Sequence, residues 1–303
     1  MKSKAIAAFF LLFVLSFTCI FATRIMVIHS YDEDYIWSRE MLEGIKSVFN
    51  DEAIEWKVFY LDTRLQTNEE WKIKAGKMAA QEVEAFQPDI VIACDDNAQE
   101  YFAKDFTTLP LVYCGVNLDL ERYSYPRSNA TGVRETLFSK ETVAMLLDFF
   151  PQVREIHFIG DDSETVAGMR EQLEATSFDD ISTKIHMVGS FNEWKEVVKN
   201  ISGEGNAIVI LADRTLKDEN GRTVSTEYVT EWTVENTDLP VFSVLDFVVA
   251  DGAMAGVVNS AFEEGKQAGV IALKILSGLS PEEIPPENSS NGRSMVNIEA
   301  LLS

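Results

Sequence analysis

RIMVIHSYDEDYIWSREMLEGIKSVF, residues 24–49, joins an apolar, strand-like run to a polar turn carrying aromatics, and then to an amphipathic stretch. A fully apolar run before a helical pattern is how a strand buried on both faces of a parallel sheet reads. Working outward, the same alternation recurs. Strands are expected at 24–29, 55–61, 89–94 and 110–114, with helices at 38–49, 68–86 and 97–104 between them. The plan then repeats with strands at 154–160, 183–188, 206–212 and 240–245 and helices near 139–150, 163–175, 191–200 and 224–236. Strands alternating with helices imply an α/β fold with crossover connections and parallel sheets, here as two similar units. Thr67 with Glu70, Ser190 with Glu193, and Ser280 with Glu283 after Pro281 have capping-box spacing and support this register.

Before residue 23 the pattern differs. Lys2 and Lys4 precede an apolar run from Ala5 to Ala22, which reads as a secretory signal peptide over 1–22 with cleavage after Ala22. Ser16-Phe17-Thr18 before Cys19 is bulkier than lipoprotein processing prefers, so a released protein is expected, periplasmic or secreted, with no membrane insertion after cleavage. What remains, about 280 residues, suits two ordinary domains. The net charge of the full chain is −23, and such a surface repels nucleic acid and anionic lipid. Cys94 and Cys114 each end an apolar run; they read either as two small buried residues or as a disulfide pair. His29, His157 and His186 form no cluster at ligand spacing, so neither a metal site nor a cofactor is expected.

In open α/β sheets, ligands sit beyond the C-terminal strand ends, where loops and helix N-termini converge. Those ends read His29-Ser30-Tyr31-Asp32, Asp62-Thr63-Arg64, Cys94-Asp95-Asp96-Asn97 and Gly115-Val116-Asn117 in the first unit. In the second they read Gly160-Asp161-Asp162-Ser163, Gly189-Ser190, Asp213-Arg214 and Asp246-Phe247.

At these residues the chain resembles the type I periplasmic binding proteins, specifically the ABC-transporter substrate-binding family that includes aromatic amino-acid binders. It is closer still to the variant serving as the extracytoplasmic sensor domain of some bacterial histidine kinases. The segments that carry the likeness are HSYDEDYIWSREMLEGI (29–45), CDDNAQEYF (94–102), PLVYCGVN (110–117), TGVRET (131–136), VFSVLDFVVADGAMAGVVNS (241–260) and EEGKQAGVIALKILSG (263–278). The resemblance implies two Rossmann-like lobes joined by a three-segment hinge, a Venus flytrap. Residues 23–130 with 259–279 would form the N-terminal lobe, and 131–258 with 280–303 the C-terminal lobe. No kinase, transmembrane or PAS-like stretch follows Ser303, so any signalling is expected to pass through a separate protein.

Among the strand-end residues, Tyr31, Tyr35 and Trp37 beside Ser30 offer apolar faces with hydrogen-bonding tips, or else staple the following helix to the sheet. Asp95, Asp96 and Asn97 stand at a strand end and helix start. One is expected to cap the helix and another to face the cleft. Gly115 and Asn117 offer backbone amides or a tight turn. Asp162, Ser163 and Thr165 open a helix whose N-terminus could receive a carboxylate, a contact the resemblance favours, with capping as the default role. Asp246 follows an apolar strand at the second crossing and is placed for a ligand amine or a hinge hydrogen bond; it is the first choice among these residues. Glu135 lies just past the first crossing, expected between Asn117 and Thr131.

The inventory sets Asp62, Asp95, Asp162, Asp213 and Asp246 against Arg64, Arg134 and Arg214, which leans toward an amine-bearing or polyhydroxylated ligand. An amino acid with an apolar or aromatic side chain fits best. Catalysis is not expected: adjacent acids such as Asp95 and Asp96 rarely face each other across one substrate, and no GxSxG, Walker A, HExxH or GxGxxG lies in its required context. The expected function is that of a monomeric binding protein delivering a small molecule to an ABC permease. The alternative is a periplasmic ligand-sensing subunit working with a sensor kinase.

Overall fold

The computed structural model describes residues 22–49, 54–290 and 292–302, so the expected leader lies outside them apart from its last residue. The first sheet contains β1 (Thr23–His29), β2 (Ile54–Tyr60), β3 (Ile90–Cys94), β4 (Leu111–Val116), β5 (Ala130–Arg134) and β11 (Glu287–Asn288), in the order β11-β5-β4-β3-β1-β2. The second contains β6 (Glu155–Asp161), β7 (Ser182–Val188), β8 (Asn206–Ile210), β9 (Val241–Ser243), β10 (Ala255–Val258) and β12 (Arg293–Val296), in the matching order β12-β10-β9-β8-β6-β7. All pairings within the two sheets are parallel except that of β10 with β12, which is antiparallel. Every residue of β3 and β4 is buried, the signature of strands covered on both faces.

The crossover helices are α1 (Ile36–Ser47), α2 (Glu69–Phe86), α3 (Asp95–Tyr101), α4 (Ser139–Phe149), α5 (Glu164–Glu174), α6 (Phe191–Asn200), α7 (Thr226–Glu235) and α8 (Asp246–Ala250). They are followed by α9 (Ala261–Leu276) and α10 (Ile298–Leu302). Ser190 and Glu193 make the expected reciprocal capping box on α6, and the Glu283 carboxylate accepts the Ser280 amide. Thr67 does not cap α2. Asn68 does, its side chain accepting the Trp71 amide, because a short Asx side chain one residue later reaches the same orphan donors.

Strand pairing places the first and last of the three passages between the sheets later than sequence suggested, while the second falls where expected. β5 pairs with β4, so the chain leaves the first sheet after Arg134 and not before Thr131. It returns after Val258, and leaves a last time between Asn288, paired with Arg134, and Arg293, paired with Val258. The short β5, broken by Gly132, lacks the long apolar run that marks its neighbours.

Helix α9 packs along α1 of the first lobe. The approach is close because both helices present glycine: a Cβ on Gly44 would lie 2.0 Å from the Phe262 carbonyl oxygen, and one on Gly265 2.0 Å from that of Met41. Gly44→Ala is expected to force the helices apart and to cost about 1–3 kcal/mol, read as a lower denaturation midpoint. An unchanged midpoint would show that the two helices separate freely.

Candidate functional site

In each sheet the strand order reverses beside its first strand, between β1 and β3 and again between β6 and β8, and a crevice opens at such a switch point. The loops leaving these four strands converge. Tyr31 follows β1, Asp95 follows β3, Thr165 lies in the first turn after β6, and Arg214 follows β8. They meet around a cavity of about 20 Å3, room for about one water molecule. Tyr31, Tyr35, Trp37, Asp95 and Glu135 line one side, and Thr165, Met169, Ala212, Arg214 and Leu245 the other.

The lobes are closed over this cavity. The Tyr31 and Thr165 hydroxyls share a hydrogen bond of 2.9 Å between lobes. Lys72 of α2 pairs with Glu164 of α5, and the Lys217 ammonium donates to the Arg64 and Leu65 carbonyls at 3.4 and 3.3 Å.

Asp95 sits in a left-handed conformation, φ 66°, opposite Gly115, which is also left-handed at φ 66°. A Cβ on Gly115 would come within 2.8 Å of Asp95 Oδ1, so only glycine leaves the carboxylate its place. Trp37 Nε1 donates to Oδ1 at 2.8 Å. Oδ2 is buried with no protein partner. Burial pushes the Asp95 carboxyl up to about 7, against the opposing pull of His29, Arg214 and the Trp37 hydrogen bond.

Arg214 is 3 % exposed, so its charge is desolvated. Its guanidinium lies 4.3 Å from the Tyr31 ring centre and donates from Nη2 to Ser163 Oγ at 3.3 Å, while Nε has no partner. Asp161 fixes the loop that carries it, accepting the Ser163 and Thr215 amides at 3.1 and 2.8 Å.

The hinge meets the cavity at Glu135. Asn117 and Asn259 donate to its two carboxylate oxygens at 2.7 and 3.1 Å, tying the first and second passages together. Burial pushes Glu135 up to about 7 as well, opposed by those two amides. Gln172 of α5 donates to the Asn117 and Glu135 carbonyls at 3.2 Å each, anchoring the second lobe to the same point.

The model of the ABC transporter substrate binding protein family matches residues 38–303. The chain belongs to that family. Its fold is that of an ABC-domain protein from Streptococcus pneumonia solved with L-Trp: 18% identity, 92% of this chain and 93% of that one, TM-score 0.71. A conserved domain protein from Vibrio cholerae gives 16% identity over 92% and 93% at TM-score 0.70. The complex of the TorS sensor domain with TorT gives 15% over 90% and 92% at 0.59. An uncharacterized protein of Rickettsia prowazekii is 25% identical over 173 residues; the match spans about half of that relative, 54%, and 57% of this chain.

In this substrate-binding protein Tyr31, Tyr35, Trp37, Asp95, Glu135 and Thr165 reach the cavity; the other expected residues hold it from behind or stand aside. Ser30 Oγ donates to the Cys94 carbonyl at 2.7 Å and accepts the Ala98 amide at 2.8 Å, so it pins α3 to β1. None of Asp95, Asp96 and Asn97 caps α3 as expected. Asp96 accepts the Asn117 and Leu118 amides and the Tyr123 hydroxyl, each at 3.1 Å, because the β4 loop passes closer than the helix end. Asn97 donates to Thr63 Oγ1 at 2.9 Å. Asp62, left-handed at φ 57°, takes a 3.3 Å hydrogen bond from Gln66. Ser163 caps α5, and Asp162 beside it is exposed at the polar mouth of the cleft with Lys72 and Lys217.

Asp213 is buried behind Arg214 with both oxygens unpartnered, and burial, reinforced by Asp161, raises its carboxyl well above the usual range. Asp246 stands outside the cavity lining: its Oδ2 lies 3.5 Å from Arg293 Nη2, and its Oδ1 accepts the Phe247 amide. Sequence reasoning passed over Met169, Ala212, Arg214 and Leu245 as contacts. Arg214 had one usable signal, a cation at the end of a strand, β8, beside a switch point.

Proposed function

We propose that this substrate-binding protein captures an α-amino acid with an apolar or aromatic side chain in the interlobe cleft and passes it, outside the cytoplasm, to an ABC permease. One observation carries the reading: Asp95 Oδ2 and Arg214 Nε, an acceptor and a cationic donor, are both buried without a protein partner beside one cavity. An ammonium satisfies the first and a carboxylate the second, and each group left bare is costly. Tyr31, Tyr35, Trp37, Met169 and Leu245 around them suit an apolar side chain. Because the cavity is small, the ligand enters an open form and the lobes close on it, replacing the Tyr31–Thr165 hydrogen bond with contacts of its own.

A thermal-shift series on the purified protein with amino acids, simple amines, sugars and organic acids tests this. Amino acids are expected to raise the melting temperature saturably, by the equivalent of about 2.7 kcal/mol at a hundredfold excess over Kd, with the compound recovered unchanged. A shift with sugars alone would overturn the proposal, and recovery of a converted product would make the protein an enzyme.

A further inference from the structure

We propose that Cys94 and Cys114 are a disulfide site, closed as the chain folds in the presence of a disulfide-bearing oxidant. The two residues are direct partners in the β3–β4 register, with sulfur atoms 3.6 Å apart, and no side chain stands between them. Among the described residues they are the only cysteines, and both are fully buried. Met41 Sδ lies 3.7 Å from Cys114 Sγ, so each thiol's close contacts are with sulfur.

The chemistry balances by exchange. One thiolate attacks the oxidant's disulfide and releases one of its thiols; the second thiolate then displaces the other, leaving the S–S bond here and two thiols on the oxidant. In the folded protein this route is shut. The thiols are inaccessible, and burial holds Cys94 toward its neutral form while the hydrogen bond with Cys94, then burial, does the same for Cys114. The bond therefore forms before the sheet is covered, or not at all.

Closing it draws the sulfurs from 3.6 Å to about 2.05 Å. Each cysteine immediately precedes one of the left-handed pair Asp95 and Gly115, so the pull arrives at the two residues that seat the carboxylate. Trp37, hydrogen-bonded to Asp95, reports it.

The test uses the full chain carrying Cys19→Ser, unfolded and refolded in glutathione buffers from fully reduced to fully oxidised. Expected under oxidation are the paired loss of both thiols to a labelling reagent in denaturant, a mass lower by about 2 Da, and a peptide linking residues 94 and 114. The folded, reduced protein should resist the same oxidant. Two thiols titrating across the whole series, or separate glutathione adducts with no linked peptide, would overturn the site. Oxidised and reduced forms should also differ in tryptophan emission, and the difference should vanish in Trp37→Phe. Superimposable spectra with the link present would overturn the reach to Asp95 and leave the disulfide standing. Cys114→Ser and Cys94→Ala both remove the linked product, so failure of one variant to fold leaves the other as control.

Discussion

Asparagine in place of Asp95 is expected to weaken amino-acid binding by about 100-fold, the scale for removing one partner of a buried charged contact. It should also flatten the dependence of binding on pH. An ammonium pairs with the ionised carboxylate, and Asp95 is held up to about 7. Affinity should therefore rise about tenfold between pH 6 and pH 8 as Asp95 loses its proton, then level off. The groups acting on it from neighbouring elements include His29, Trp37, Glu135, Arg214 and Glu264; Glu135 is also held up to about 7, and burial raises Glu264 as well. Titration calorimetry across pH separates Asp95 from these carboxyls: a tenfold rise that survives in Asp95→Asn would move the role to Glu135 or Glu264. The unliganded protein should move the opposite way. A carboxyl raised on folding contributes its stability below the unfolded value and loses it as pH climbs through about 7, so the melting temperature should fall from pH 5 to pH 8, less steeply in the variant.

Arg214→Ala should be as damaging to binding, costing about 2–5 kcal/mol, because it removes a desolvated cation and leaves Asp95 and Asp161 without its field. Arg214→Lys should recover only part of the loss. A lysine ammonium keeps the charge but cannot lie over Tyr31, donate to Ser163 and present Nε to a ligand at once. Affinities equal to wild type in Arg214→Ala, with circular dichroism unchanged, would remove the residue from the site.

The α/β alternation was legible because parallel strands covered on both faces must be apolar throughout: Ile90–Cys94 and Asn206–Ile210 start and stop within two residues of where composition puts them. What the sequence hid were short pieces at the lobe boundary, β5, β10, β11 and β12, whose pairing depends on residues far along the chain. The site was legible as a place and only partly as a list. Strand-end logic led to Tyr31, Asp95 and Thr165, but it cannot say which way a carboxylate turns. Asp96 turned to the amides of the β4 loop, and Asp246 toward Arg293, 47 residues away. Asp62 follows β2, one strand removed from the switch point, and Asp162, although it directly follows β6, is exposed at the mouth of the cleft. The topology, once known, selects among acids that composition treats alike.

The three passages between the sheets also bear on the order in which the molecule is made. α9, which covers α1 and β4, and β11, which extends β5, come from residues 261–288, after all of the second sheet except β12 has been synthesised. A growing chain thus carries an incomplete first lobe, its glycine-lined α1 surface bare, until residues 261–288 emerge. Contacts so distant in sequence form slowly. The two sheets are completed nearly together, because β12 of the second follows β11 of the first within a few residues.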